Sequence, residues 1–311
     1  MARTSDSDVT KALRSKAAKP AKVAKPARVP ASASVSPWAP LASVAAWTST
    51  SEKRRLRLGK ELALALGSDW RPSLTRVGKD RLVELLHEPT ALRFLVVPGG
   101  AFTAGMRDGD LAIARRMEFD DVETLATLEA GPEAKPAQID PFLCARAPLL
   151  EGHARALRKR TEFTVGDTDG AVTFTRKQAN AAMAAFPASF RFLKPLEWEY
   201  VARDGGVTTF INGDVPEGAK KACEDLNEHR FDPRRKGPGS NALGVWGLPL
   251  GDWVASKNVR VSGSACGGAA MDLPWPSADG IALCFAGLSV VGGRENASCV
   301  RVAVDLPTPS L

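Results

Sequence analysis

The chain has 311 residues, 44% hydrophobic and 25% charged, the balance of a globular protein with enough apolar content for a sizeable core. No stretch approaches the ~18 uninterrupted apolar residues of a membrane helix, and the opening MARTSDSDVTKALRSKAAKP lacks the apolar centre of a secretory signal, so the expectation is a cytoplasmic protein with no membrane partner. The formal net charge of +7 does not describe the body: residues 1–37 hold eight basic and two acidic side chains, leaving 34 basic against 33 acidic in the rest.

That first segment, including AAKPAKVAKPARVPASASVSP, repeats Lys or Arg with Ala and Pro and has almost nothing to bury. It is expected to be a disordered basic tail. Lysines on a tail suit weak, non-specific contact with nucleic acid, but no aromatic residue is interleaved to stack on bases, which argues against sequence recognition. Residues 38–91 read as a small helical segment. In SEKRRLRLGKELALALG, Ser51 is the expected N-cap and Gly67 the stop, with Leu58, Leu62 and Leu66 on one face. GKDRLVELLHE reads as a second amphipathic helix with His87 complementing the dipole at its end.

From Leu92 the texture changes. LRFLVVPGGAFTAG is a β-like run broken at Pro98-Gly99-Gly100, DLAIARRMEF reads as a second extended run, and QIDPFLCARAPL as a third. TFTRKQANAAMAAF has Ala179, Ala182, Met183 and Phe186 at helical spacing and ends before Pro187. PLEWEYVARDGG follows as a short helix. Trp198, Val201 and Ala202 form its apolar stripe, and Glu197, Glu199 and Arg203 are expected on its outer face. Glu197 and Glu199 stand two apart and do not face each other on a helix, so they are not expected to act as a catalytic acid pair. Beyond Gly206 the chain is rich in glycine and turns, with Trp246, Trp253 and Trp275 and little helical periodicity. The fold class expected is α+β, with short helices, short strands and long irregular loops.

Five cysteines, at 144, 223, 266, 284 and 299, show no CxxC pair, which fits buried thiols in a reducing compartment better than a disulfide framework or a zinc ribbon. Gly99-Gly100 is followed by neither helix nor lysine in this reading, so no phosphate-cradling loop is expected.

The order of blocks over residues 92–306 resembles the formylglycine-generating enzyme family, the sulfatase-modifying domain with a C-type-lectin-like fold. The carriers are FLVVPGGAFTAG, IDPFLCARAPL, TFTRKQANAAMAAF and above all RFLKPLEWEYVARDGG, followed by TTFINGD, SNALGVWGLPLGDWVAS, VRVSGSACGG and ASCVRVAVD. The resemblance implies a domain over residues 92–311, with the EWEY helix as scaffold and its acids anchoring neighbouring loops. It also implies a copper(I) site made by two cysteines five residues apart. Here Cys266 stands near the first position and Met271 at the second, and a thioether does not reproduce a dithiolate. Where the family's calcium sites carry Asn and Glu, this chain has Cys223 and Val254, which are not hard oxygen donors. Asp214, Asp225 and Asp232 remain as carboxylates that could gather one cation. The three histidines, His87, His153 and His229, are too scattered for the three-histidine iron site of the related sulfoxide synthases. The reading is therefore a non-catalytic binding or assembly module with no cofactor and no metal expected, recognising a protein partner through a C-terminal loop surface around Ser264, Cys266, Trp275 and Arg294. Trp275, held between Pro274 and Pro276, is the candidate anchor. The alternatives are a copper-dependent oxidase that converts a peptidyl cysteine to formylglycine through Cys266, with calcium or copper as cofactors, and a nucleic-acid-associated protein acting through its tail.

Overall fold

The computed structural model describes residues 38–73, 82–117, 119, 122–166, 170–211, 213–228, 239–255, 264–266, 286 and 298–307. The basic tail expected at 1–37 lies outside the described residues. So do Asp232, Met271, Trp275, Cys284 and Arg294.

Two helices open the described chain, α1 (Val44–Ser49) and α2 (Glu52–Leu66). Ser51 caps α2 by accepting from the Arg54 N–H, and the helix stops at Gly67, as the sequence suggested. Leu58 and Leu62 are fully buried. The mid-helix glycine of α2 has a packing reason: a Cβ at Gly59 would lie 2.5 Å from Val83 Cγ1, so glycine lets the helix lie this close to the residue that leads into strand β2 (Glu84–His87).

β2 is a correction. In the described part of GKDRLVELLHE, from Leu82 on, Glu84–His87 is strand β2 and not helix, paired with β1 (Trp70–Pro72) on one side and β3 (Leu92–Val97) on the other. The leucine spacing fits either element. Burial on both faces of a central strand produces the same near-continuous apolar run. His87 consequently does not close an α-helix; it ends β2 and opens a short 3-10 turn, Glu88–Thr90. Its Nδ1 lies 2.8 Å from Thr90 Oγ1, and its ring packs against Trp70 and Phe190. Burial lowers its pKa, against a smaller upward pull from Asp69.

The chain then forms β4 (Gly100–Ala104), α3 (Asp108–Ala114), α4 (Val122–Glu129), β5 (Lys135–Ile139) and β6 (Phe142–Ala145). The break between β3 and β4 falls at Pro98-Gly99, and β5 and β6 occupy the segment read as extended. DLAIA, read as extended, is instead helix α3: Asp110 accepts from the Arg107 N–H and closes the first turn. Next come α5 (Glu151–Lys159), α6 (Arg176–Ala184), β7 (Phe190–Phe192), α7 (Pro195–Ala202) and α8 (Pro216–Glu228). α6 carries the full reciprocal cap between Thr175 and Gln178. α8 has no counterpart in the sequence reading. Among its described side chains the buried ones are Ala219 and Ala222, and alanine gives a faint hydrophobic period. The last strands are β8 (Asp252–Val254), β9 (Ser264–Cys266), β10 (Cys299–Val300) and β11 (Val302–Asp305).

Six strands form one antiparallel sheet in the order β1-β2-β3-β6-β11-β7, β4 pairs with β5, and a third sheet runs β10-β8-β9. This is an α+β fold. An aromatic series of Trp70, Phe94, Phe190, Phe186 and Phe163 runs through the core at centroid spacings of 5.2 to 5.9 Å. No helix among the described residues is long and apolar enough to cross a membrane.

Candidate functional site

Helix α7 lies at the centre of the charged architecture. Its acids and arginine do not face solvent as expected: Glu197 is 4% exposed, Glu199 6% and Arg203 0%. Glu199 and Arg203 are held by partners from a distant part of the chain, and Glu197 by Arg191 and the Lys194 N–H just before the helix. Glu199 Oε1 accepts from the Gly105 N–H at 2.8 Å and from Arg203 Nε at 2.9 Å. Arg203 Nη2 donates to the Gly105 carbonyl at 2.7 Å and to Asp110 Oδ2 at 2.9 Å, and its Nη1 donates to the Thr208 carbonyl at 2.8 Å. Arg107 binds the same Asp110 and reaches the carbonyls of Val207 and Thr208. Two guanidiniums thus balance two carboxylates in a buried cluster, and every charge has several hydrogen bonds. Burial opposes ionisation of Asp110, but its bonds to Arg107 and Arg203 win and hold its carboxyl below the ordinary range. Burial wins at Glu199 and pushes its carboxyl up, although Arg203 and the Gly105 N–H resist.

The remaining polar groups of α7 are also spent on structure. Glu197 receives a fork from Arg191, with N–O distances of 2.7 and 2.8 Å, and Arg191 also holds Asp305 on β11. Tyr200 donates to the Gly99 carbonyl at 2.7 Å, which pins the turn between β3 and β4. Trp198 Nε1 donates to Asp252 Oδ2 at 3.1 Å, where Arg301 Nε also donates at 2.8 Å. The rest of Arg301 binds the carbonyls of Ala145, Arg146 and Trp246. Asp252 Oδ1 has no hydrogen-bond partner among the described residues. Burial drives this carboxyl upward against the pull of Arg301 and the Trp198 N–H. Past the helix, Gly206 has a φ of 91°, and a Cβ there would collide with Phe102, so the double glycine is a geometric requirement of the turn.

Asp204 and Asn241 tie the same helix end to the 239–247 loop. Asn241 Nδ2 donates to the Val201 carbonyl at 2.7 Å, its Oδ1 accepts from the Val245 N–H, and Asp204 Oδ1 accepts from the Leu243 N–H at 3.1 Å. Sequence reasoning passed over Arg107, Asp110, Asn241, Asp252 and Arg301. The available signal was the charge content of segments otherwise apolar, as in LGDWV and SCVRVAV.

Of the proposed interaction residues, Ser264 and Cys266 are placed at the two ends of β9, across from Val254 and Asp252. Trp275 and Arg294 lie outside the described residues, so the loop surface is described only at this strand. Val254 is buried on β8, and its carbonyl accepts from Arg176, whose guanidinium stacks on Phe192 and Trp253. Cys223 falls on α8. Asp214 Oδ1 accepts from the Thr209 N–H and Asp225 Oδ2 from the Gly239 N–H, so each carboxylate serves its own loop. Among the described residues no three His, Cys, Asp or Glu side chains gather in a way that could hold a metal. Cys144 and Cys299 are free and buried. Burial pushes the Cys144 thiol to about 12 and the Cys299 thiol still higher, so neither is a thiolate at neutral pH.

No protein-family profile matches the sequence, and neither does any curated protein. Among solved structures, PvdO from Pseudomonas aeruginosa is similar at 19% sequence identity over 70% of this chain and 95% of that chain, with a TM-score of 0.38.

Proposed function

We propose that the protein is a non-catalytic binding or assembly module on a formylglycine-generating-enzyme-like, C-type-lectin-like scaffold, and that it recognises a protein partner through the loops that follow β8. The observation that carries this reading is the consumption of α7. All of its acids, its tryptophan, its tyrosine and the arginine that ends it are spent on backbone groups or counter-charges of the frame. A helix used in this way is a frame for loops and offers no free acid or base for proton transfer.

The supply of thiolates points the same way. A copper(I) site of the family's kind needs two soft donors converging on one ion, and Cys144 and Cys299 are fully buried, with burial pushing both thiols up. Cys266 with Met271 is the pair that the sequence offers at the family's positions.

The test is a peptide mass measurement. The full chain, loaded with copper(I) under reducing conditions, is incubated with a cysteine-containing sulfatase-type peptide beside a Cys266→Ser control. The expected result is unchanged peptide mass and no stoichiometric copper binding. Aldehyde product that disappears in the control would overturn the reading in favour of the oxidase.

A further inference from the structure

We propose that a cavity of about 350 Å³ on the sheet face carrying Arg93 and Arg146 binds a small molecule that joins one carboxylate to an apolar body. The volume lies within the range of small-molecule pockets. Its walls come from β2 and β3, the segment that follows β6, the first turn of α5 and Val165. Leu86 on β2 stands opposite Arg93 on β3, and the Arg146 N–H donates to the Arg93 carbonyl, so one leucine and two arginines share a face. Leu92, Pro148, Leu150 and Val165 supply the apolar remainder.

The charge on this face is unevenly spent. Glu84, 2% exposed, accepts from Arg93 Nη1 at 2.9 Å, Arg146 Nη1 at 3.2 Å and Ser73 Oγ at 2.5 Å. Arg93 Nη1 also donates to Ser73 Oγ. One buried carboxylate is therefore shared by two guanidiniums, which leaves a single positive charge. Nε and Nη2 of both arginines have no protein acceptor among the described residues, and the Arg146 side chain is only 26% exposed. Arg93 is the more open of the two, at 53%; the partly desolvated donors of Arg146 beside an apolar cavity favour an anion that accepts from them.

His153, which also lines the cavity, does not compete for this role. Its Nδ1 accepts from the Leu150 N–H at 3.0 Å, which leaves Nε2 to donate to the Thr90 carbonyl at 3.1 Å. The ring is held in place by these two backbone groups. A single excess positive charge matches a monoanion, so a carboxylate suits the site better than a doubly charged phosphate monoester.

Isothermal titration of the full chain at neutral pH with octanoate, 1-octanol and octyl phosphate tests this proposal. Octanoate is expected to bind saturably at one site. Octanol is expected to bind at least about tenfold more weakly, the loss for one charge-assisted contact, and octyl phosphate no more tightly than octanoate. Arg146→Gln should weaken octanoate about tenfold and leave octanol unchanged. Val165→Phe should abolish both by filling the cavity, and because it leaves the Glu84 cluster intact it decides the matter if Arg146→Gln does not fold. Equal affinity for octanoate and octanol, tighter binding of octyl phosphate, or octanoate binding unaffected by Val165→Phe would each overturn the proposal. So would the absence of saturable binding in the low millimolar range.

Discussion

Replacing Asp204 by Asn is expected to stabilise the protein at pH 8 and to have little effect near pH 4. Asp204 ends the turn after α7 at a φ of 51°, a left-handed conformation that Asn adopts as readily as Asp. Burial is the main influence on its carboxyl and Asp214 adds to it; against the N–H groups of Leu243 and Ala242, they raise the pKa from 3.8 to about 7. A carboxyl raised on folding binds its proton more tightly in the native state. As pH climbs from about 4 to about 7, the unfolded chain loses that proton first and stability falls. Three units at about 1.4 kcal/mol each set a ceiling near 4 kcal/mol. Residual solvent contact, and the weaker hydrogen bonds accepted by a neutral amide oxygen, reduce the expected gain to about 1–2 kcal/mol. Asn keeps a carbonyl oxygen for the Leu243 N–H but carries no charge. The assay is urea denaturation of both proteins at pH 4.5, 6 and 8. A variant that loses about 1 kcal/mol or more at pH 8 would show that the ionised carboxylate holds the 239–247 loop, and the burial argument would fail.

Three further outcomes are expected. Arg301→Met should cost about 3–5 kcal/mol, because it leaves Asp252 buried with only the Trp198 N–H; adding Asp252→Asn should recover part of the loss, and urea midpoints of the two variants check both halves. Trp198→Ala should cost about 3–5 kcal/mol as a large core truncation, and an unchanged melting temperature would refute the framing role of α7. If the basic tail contacts nucleic acid, duplex binding should be independent of sequence, with a log–log salt slope of about −4 to −7; binding retained after removal of residues 1–37 would move the contact to the body, which carries a charge of only +1.

Much of the fold was legible where a local signal decides. Ser51 and Gly67 mark the ends of α2, Pro98-Gly99 breaks β3 from β4, and the spacing of Ala179, Ala182 and Met183 announces α6. The reading failed where a run of apolar residues fits two periods, as at Leu85 and Leu86 on β2 and at Leu111 and Ile113 on α3. It also failed at α8, where alanines make the contacts. The burial of Glu199 and Arg203 was not legible for a different reason: Gly105 and Asp110 lie more than 90 residues away in sequence, and no local pattern announces such a partner. Of the interaction surface, the sequence and the described structure meet only at Ser264 and Cys266 on β9.

Strand β11 has a consequence for the order in which the protein can be made. It lies between β6 and β7 in the six-stranded sheet, yet both of those neighbours are translated long before it. A ribosome-bound chain that has emerged only to α8 therefore holds β6 and β7 apart, each with an open hydrogen-bonding edge toward the missing strand. Sheet closure must wait for residues 302–305, and such late, non-local pairing is slow. The nascent protein should consequently depend on holdase protection until synthesis passes Asp305, and ribosome stalling between α8 and β11 should yield chains that aggregate.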